Sequence, residues 1–275
     1  MSILFASICK KGKISADMRY RASSNLNENI PLNLIRNPEE PIFLSGFSLG
    51  GNVCLKFLGE LGETAISRNI MGAAVFCVPF DTVQCQKKID VGFSRVVYSG
   101  NFLASLKKKA ERQYKEFGEK NPDFIDIKAI RACSKIGDFD DAFIAPIYGF
   151  KNKLDYYTQS ASKQYLHKIR VPTIAINAID DPFVDEYTLP TEKDDIGDAP
   201  VRLIYTKTGG HCGYLSKPDP AIPGHGWISE ELSRALEHFH AENVKFVESS
   251  ADLTNDSIEL IQPAEAVLSE EATVA

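Results

Sequence analysis

Residues 41–62 read PIFLSGFSLGGNVCLKFLGELG, and this stretch decides the fold class. Its first part is a short apolar run that reaches Gly46, which predicts a buried strand. From Leu49 onward, apolar residues recur at spacings of three and four, which predicts a helix that ends near Gly62. Residues 72–79, GAAVFCVP, predict a second buried strand. Apolar strands on both sides of a helix are typical of a parallel sheet that is covered on both faces.

The rest of the chain extends this alternation of strands and helices. Residues 171–178 and 201–206 are strand-like, and residues 227–241 carry an amphipathic helical pattern. Residues 80–168 are charged, rich in aromatic side chains and mostly helical by pattern. The sequence therefore predicts an α/β fold, with a mostly parallel sheet and a helical insertion between its strands.

Three segments are predicted from composition. Residues 10–40 are polar, so residues 1–40 are interpreted as an irregular N-terminal segment, and residues 41–246 are predicted to be the folded domain. Residues 247–275 contain seven acids and no Lys or Arg, which favours an acidic disordered tail. The formal net charge of −6 belongs to this tail, because the rest of the chain has 30 acids against 31 bases. A neutral body lacks the basic footprint of a nucleic-acid-binding protein.

The composition excludes several classes of protein. The proportions of hydrophobic residues (44%) and charged residues (25%) are those of an ordinary globular protein. No apolar run approaches the ~20 residues of a membrane-spanning helix. The cytosol is the default location, with an organelle or peripheral membrane association as alternatives. The cysteines show no metal-binding spacing, so we expect reduced thiols, no metal and no cofactor; they are Cys9, Cys54, Cys77, Cys85, Cys133 and Cys212.

The segment Gly46-Phe-Ser-Leu-Gly50 lies between the first predicted strand and its helix. This Gly-x-Ser-x-Gly spacing is typical of a sharp turn that presents a serine hydroxyl above the edge of a sheet. Ser48 is therefore a candidate nucleophile, and the backbone N–H of Leu49 is a candidate donor to an oxyanion. A glycine-rich turn with an incidental serine is the alternative reading.

A nucleophilic serine needs a base and a carboxylate that orients the base. His211 lies in a glycine-rich loop after the strand at 201–206, and Asp180 and Asp181 follow the strand at 171–178. We predict Asp181 as the acid, with Asp180 as the alternative. The order Ser48, Asp181, His211 is the Ser…Asp…His order of α/β-hydrolases.

The chain resembles the YheT-like branch of the α/β-hydrolases, which includes plant embryogenesis-associated and animal abhydrolase-domain proteins. The resemblance rests on residues 46–60, on 176–183 and on GGHCGYL at 209–215, and it runs from about residue 40 to about 240. It implies a serine carboxylesterase or lipase, including acylglycerol lipase activity, that acts on acyl or lipid esters. It further implies that residues 80–168 form a helical cap over the site.

The chain departs from that family before the nucleophile. Only 47 residues precede Ser48, and they contain no His-Gly pair of the kind that supplies a second oxyanion donor. We therefore expect an N-terminally truncated sheet in which the strand before Ser48 has an unpaired edge. The alternative is a catalytically impaired or truncated hydrolase-like protein with a binding role or no independent function. A thioesterase or acyltransferase on the same fold has the same triad, and the sequence does not separate it from an esterase.

Overall fold

The computed structural model describes residues 7–10, 13–15, 41–115, 125–215 and 226–252. These residues form one six-stranded sheet with the order β2-β1-β3-β4-β5-β6. The strands are β1 (Ser7–Lys10), β2 (Lys13–Ser15), β3 (Ile42–Phe47), β4 (Ile70–Phe76), β5 (Thr173–Ala178) and β6 (Val201–Thr206).

The strands β3, β4, β5 and β6 run parallel to one another. Their register aligns Phe47 with Phe76 across β3 and β4, and Phe76 with Ile176 across β4 and β5. Every residue of β5 is buried, as is nearly every residue of β4. Burial on both faces explains why these strands are continuously apolar. The predicted parallel α/β sheet is therefore confirmed.

The edge of β3 is paired. Strand β1 lies antiparallel to β3, with Ser7 opposite Ser45 and Ile8 opposite Leu44, and β2 folds back on β1. The expectation that the strand before Ser48 has an unpaired edge is wrong, and residues 1–40 are not wholly irregular. An antiparallel neighbour satisfies the free N–H and C=O groups of an edge as well as a parallel one does.

Helices lie on both faces of the sheet and between β4 and β5. The α-helices are α1 (Leu49–Leu61), α2 (Thr64–Ser67), α3 (Thr82–Ile89), α4 (Gly92–Ser94), α5 (Gly100–Gln113), α6 (Ile127–Ala132), α7 (Ile136–Phe139), α8 (Ala145–Tyr148), α9 (Lys153–Ser160) and α10 (Trp227–Asp252). Short π-helical turns occupy Arg95–Ser99, Asp140–Ile144 and Glu192–Ile196, and 3₁₀ turns occupy Lys163–Lys168 and Glu186–Thr188. None of the helices in the described parts of the chain has the length and apolar character needed to cross a membrane.

Two hydrophobic clusters sandwich the sheet. On one face, Leu55 and Leu58 of α1 pack with Val75 of β4. On the other face, Phe239 of α10 packs with Phe76 and with neighbouring strand residues. Successive residues of β4 therefore point to opposite helices, as the alternation of side chains along a strand requires.

Helix α10 is longer than predicted. Its pattern predicts residues 227–241, whereas the helix continues to Asp252, beyond the predicted start of the acidic tail at 247. Residues 253–275 lie outside the described residues, so the disorder of that part of the tail stays a prediction.

The helical insertion has a core of its own, which includes Leu103, Ile130, Phe139 and Phe143. Two carboxylates are buried beside that core. Asp90 accepts hydrogen bonds from the Ser99 hydroxyl at 2.8 Å and from the Gly137 N–H at 2.8 Å.

The second buried carboxylate, Asp140, accepts a hydrogen bond from the Tyr157 hydroxyl. The pKa of the Asp140 carboxyl is raised from 3.8 to about 7, mainly by burial; the Tyr157 hydrogen bond opposes this increase, and the charges of Asp90 and Asp141 add to it. The folded state therefore favours protonated Asp140.

Replacing Asp140 by asparagine should alter the dependence of stability on pH. An acid whose pKa is raised on folding binds its proton more tightly in the folded state than in the unfolded state. Its contribution to the free energy of unfolding is therefore complete below pH 3.8 and is lost as the pH rises towards about 7. In wild type this loss should be on the order of 4 kcal/mol across that window. Urea unfolding at several pH values should show that the free energy of unfolding declines less steeply with rising pH for Asp140→Asn than for wild type.

The control is Asp198→Asn, because Asp198 is exposed and its charge is not among the causes that raise the pKa of Asp140. This variant should keep the wild-type slope. Equal slopes in wild type and Asp140→Asn would contradict the prediction.

Candidate active site

Ser48 lies at the turn between β3 and α1, with φ of 52° and ψ of −127°. A positive φ in a non-glycine residue costs about 1–3 kcal/mol and persists only when the surroundings enforce it. Here the Ser48 N–H donates to the Phe76 carbonyl at 2.9 Å, and the Ser48 carbonyl accepts from Gly51 N–H at 2.9 Å and Asn52 N–H at 3.2 Å. Sheet and helix thus hold the same strained residue from both sides.

The glycine before this turn has a steric cause. A Cβ atom at Gly46 would lie 2.5 Å from the carbonyl oxygen of Gly50 and 2.7 Å from the N–H nitrogen of Gly51. Strand β3 therefore meets the first turn of α1 at a distance that only glycine permits. The first glycine of the Gly-x-Ser-x-Gly motif is therefore required by this close approach.

Asp181 lies in the loop after β5 and is 1% exposed. Asn177, at the end of β5, fixes the start of this loop. Its side-chain amide accepts from the Val78 N–H at 3.0 Å and donates to the Val78 carbonyl at 3.0 Å. Lys88 holds the loop from the other side by donating to the Asp181 backbone carbonyl at 3.2 Å and by pairing with Asp185 at 2.7 Å.

The structure brings Ser48, His211 and Asp181 into one hydrogen-bonded line. His211 Nε2 lies 2.7 Å from Ser48 Oγ, and His211 Nδ1 lies 2.8 Å from Asp181 Oδ2. The other carboxylate oxygen of Asp181 accepts from the Phe183 N–H at 2.8 Å. Because a carboxylate oxygen only accepts, Nδ1 carries the proton, and Nε2 is left to accept from the Ser48 hydroxyl.

Asp180 has a different contact from Asp181. Its Oδ1 accepts a hydrogen bond from the Gly210 N–H at 2.7 Å, and its side chain is exposed. Of the two adjacent acids that the sequence leaves open, Asp181 contacts the imidazole of His211, and Asp180 holds the backbone of the loop that carries it. Adjacent residues in this turn point in different directions, which explains the two partners.

Leu49 begins the 13-residue helix α1 directly after Ser48. The first N–H groups of a helix have no partner within the helix, and they carry the positive end of its dipole. Leu49 is thus placed where a donor to an oxyanion is needed, and that role stays a prediction. Among the described residues, no cluster of three or more His, Cys, Asp or Glu side chains has an arrangement that would hold a metal ion.

A chain of aromatic rings connects His211 to the helical insertion. The Phe183 ring lies 4.4 Å from the imidazole of His211, and the Tyr98 ring lies 4.8 Å from Phe183 (centroid to centroid). Phe102 contacts Phe183 at 6.2 Å, and Phe93, which is 74% exposed, contacts Tyr98 at 6.5 Å. An apolar path therefore leads from the surface of the insertion to the imidazole.

The chain is similar in sequence to several curated proteins. It is 32% identical over 175 residues to the putative esterase YheT of Escherichia coli, covering 64% of this chain and 49% of that protein. It is 31% identical over 210 residues to the monoacylglycerol lipase of Saccharomyces cerevisiae, covering 75% and 44%. Identity to the mouse phospholipase ABHD3 is 28% over 178 residues, covering 65% and 41%. The chain belongs to the α/β-hydrolase family.

This α/β-hydrolase spans less than half the length of these three relatives. Solved structures that align with it include the esterase LipA of Xanthomonas oryzae, with 16% identity, a TM-score of 0.37, and coverage of 63% of this chain and 53% of that chain. No protein-family model matches the chain.

Two asparagines that position the α/β-hydrolase site were missed by sequence reasoning. Asn177 joins the ends of β4 and β5, as described above. Asn52, which is 1% exposed, donates to the Ser160 carbonyl at 2.8 Å and accepts from the Ser162 N–H at 2.9 Å, joining α1 to the end of the insertion. A polar residue within an apolar run was the available signal, because a buried amide needs partners.

The two adjacent acids should respond differently to the same substitution. Asp181→Asn should lower kcat by about 10²- to 10⁴-fold, because an amide no longer fixes the imidazole tautomer or stabilises its cation. Asp180→Asn, the matched control, keeps an oxygen that accepts from Gly210 N–H and should lower kcat by less than about 10-fold. Ester hydrolysis assays of both variants measure the difference, and an equal loss in the two would contradict it.

Proposed function

We propose that this protein is a serine ester hydrolase of the carboxylesterase or lipase type. The observation that carries the proposal is the hydrogen-bonded line from Ser48 Oγ to His211 Nε2 at 2.7 Å and from His211 Nδ1 to Asp181 Oδ2 at 2.8 Å. The line starts at a strained turn between strand and helix, which is where nucleophiles of this fold lie. The names of the relatives (esterase, monoacylglycerol lipase and phospholipase) support the same class.

The roles of the residues follow from this geometry. Ser48 Oγ attacks the ester carbonyl carbon while His211 Nε2 takes the hydroxyl proton, and Asp181 stabilises the imidazolium that forms. The N–H of Leu49 donates to the oxyanion of the tetrahedral intermediate. His211 then gives its proton to the leaving alkoxide, which departs as an alcohol and leaves an acyl ester on Ser48. A water molecule then loses a proton to His211 and attacks this ester, and the carboxylic acid departs as His211 returns the proton to Ser48 Oγ.

The substrate proposed here is an ester with an apolar acyl group. The ring of Phe183 packs against His211, and the rings of Tyr98 and Phe102 continue from it into the insertion. An acyl chain beside these rings would bury its methylene groups, and each buried group would contribute about 0.8 kcal/mol to the free energy of binding. The cytosol as the default location stays a prediction, with an organelle or peripheral membrane association as its alternatives.

Substitution of Ser48 tests the proposed reaction. Ser48→Ala should lower the rate of p-nitrophenyl ester hydrolysis by at least about 10³-fold, because no other group in the line forms the acyl ester. A fluorophosphonate probe should label wild type at Ser48 and leave the variant unlabelled. Cys54→Ala, a substitution in the same helix, is the control for folding. Equal hydrolysis by wild type and Ser48→Ala would reject the enzyme proposal in favour of a binding role.

Substitution of Tyr98 tests the acyl group. Tyr98→Leu removes a ring that contacts Phe183, so it should lower kcat/KM for p-nitrophenyl octanoate about 10-fold more than for the acetate. The matched control is Tyr165→Leu, since the Tyr165 ring lies under Lys56 beside α1 and outside the aromatic chain. Loss of activity on both esters to the same extent would contradict a role in acyl recognition.

A further inference from the structure

The helical insertion exposes a group of large apolar side chains next to the active site. Val91, Phe93 and Val96 are 58%, 74% and 79% exposed. Single exposed apolar side chains are common on protein surfaces, whereas several close together indicate an interaction surface. This group therefore calls for a partner that covers it.

The exposed group lies at the outer end of the aromatic path to His211. The Phe93 ring contacts Tyr98, whose ring lies 4.8 Å from Phe183. The neighbouring Ser94 hydroxyl donates to the Pro182 carbonyl at 3.4 Å, in the loop that follows β5. A partner that covers the exposed group would therefore lie beside the route to the catalytic side chains.

The same helical segment is strongly basic. Residues 91–115 contain six basic side chains and one acid, although the chain as a whole has a formal net charge of −6. The acid, Glu111, pairs with Arg131 of α6 at 3.1 Å. The exposed basic side chains of the segment are Arg95, Lys108, Lys109, Arg112 and Lys115. The segment therefore presents an excess of positive charge to its partner.

The apolar and the basic side chains share one face of the segment. Its backbone is helical from α4 through the π-helical turn at Arg95–Ser99 to the end of α5. Exposed residues recur along it at spacings of three and four, as one face of a helix requires; they are Phe93, Val96, Gly100, Ala104, Lys108 and Arg112. The opposite face carries Leu103 and Ala110, which are buried in the core of the insertion. The exposed face is therefore apolar at the end near the active site and basic at the other end.

We propose that this face docks on the surface of a bilayer that contains anionic phospholipids. Phe93 and Val96 enter the boundary between the headgroups and the acyl chains, as the apolar side chains of interfacial helices do. Lys108, Lys109 and Arg112 lie against the negatively charged headgroups. The positive charge of the face is thus complementary to the charge of the lipid surface.

The form of the surface favours a bilayer over a protein as the partner. A fluid lipid surface adapts to side chains that protrude, and it needs no pocket that matches them. An apolar anchor alone binds a bilayer weakly, and a basic patch beside it makes the binding stable. The segment carries both signals on one face.

Docking in this orientation turns the aromatic path towards the lipid. The acyl chain of a lipid ester then passes from the bilayer along Phe93, Tyr98 and Phe183 to the triad, without crossing water. This consequence rests on the proposed ester hydrolysis, whereas the docking itself does not.

Docking is tested by cosedimentation of the full chain with vesicles. Wild type should bind vesicles of phosphatidylcholine and phosphatidylserine at least about 10-fold more tightly than vesicles of phosphatidylcholine alone. Added sodium chloride should weaken this binding, because salt screens exposed charges. Equal binding to the two kinds of vesicle, or binding to neither, would overturn the proposal.

Removal of charge tests the basic end of the face. Lys108→Gln/Lys109→Gln should weaken binding to the anionic vesicles about 25-fold, since each basic side chain near such a surface contributes about 5-fold. The matched control is Lys168→Gln/Lys193→Gln, which removes two exposed charges outside the segment. This control should bind within about 2-fold of wild type. Equal weakening in both double variants would show that net charge, and not this face, drives the binding.

Removal of an apolar side chain tests the other end of the face. Val96→Ser should weaken binding to the anionic vesicles roughly 10-fold, because a valine side chain no longer leaves water. The matched control is Ile66→Ser, since Ile66 is an exposed aliphatic residue on α2, and it should bind as wild type. Wild-type binding by Val96→Ser would contradict the insertion of this end into the lipid.

The effect on hydrolysis is measured separately. Wild type should hydrolyse p-nitrophenyl octanoate carried in the anionic vesicles about 10-fold faster than Lys108→Gln/Lys109→Gln does, and the two should hydrolyse dissolved p-nitrophenyl acetate equally. If wild type hydrolyses neither ester, the proposed function fails, while cosedimentation alone decides the docking surface. Equal hydrolysis of the octanoate despite weaker binding would refute the passage of the acyl chain from the bilayer.

Discussion

The arrangement of this protein depends on the turn at Ser48, where a parallel strand passes into a helix through a residue with positive φ. Two constraints keep that residue in place. Its N–H is bound by the Phe76 carbonyl of the neighbouring strand, and Gly46 allows α1 to approach the end of β3 more closely than any Cβ atom would permit. The same turn directs the Ser48 hydroxyl to the edge of the sheet and aims the first N–H groups of α1 at the space beside it. Loss of either constraint would relax the serine into an ordinary conformation and remove it from His211.

The other side chains of the site reach this turn through the ends of β5 and β6. The Asn177 amide holds the loop after β5 against the backbone of Val78, so Asp181 is fixed before it contacts the imidazole. Asp180, which comes directly before it, binds the backbone of the loop that carries His211. Two adjacent carboxylates therefore perform two tasks, one on the side chain and one on the main chain of the same loop. Both carboxylates follow the end of β5, and the loop that they hold is the glycine-rich segment after β6.

The sheet provides the support that these loops need. Helices α1 and α10 cover its two faces with separate hydrophobic clusters, and β1 covers the edge of β3. The helical insertion has a third cluster of its own, and it contacts the rest of the molecule through the Asn52 amide, through the rings around Phe183 and through Lys88. The insertion therefore supports the loop that carries Asp181 as well as the aromatic rings beside His211.

The sequence by itself determined the parallel sheet, the turn at Ser48 and the order of Ser48, Asp181 and His211, because apolar periodicity and glycine spacing are local properties of the chain. Local pattern also predicted β3, α1, β4, β5 and β6 to within a few residues. Only the tertiary structure decided which of two adjacent acids meets His211 and which strand covers the edge of β3. The aromatic path is of the same kind, since Tyr98 and Phe183 lie in segments with no local relation. These contacts depend on which loops converge at one edge of the sheet, and no residue pattern within a single segment specifies that convergence.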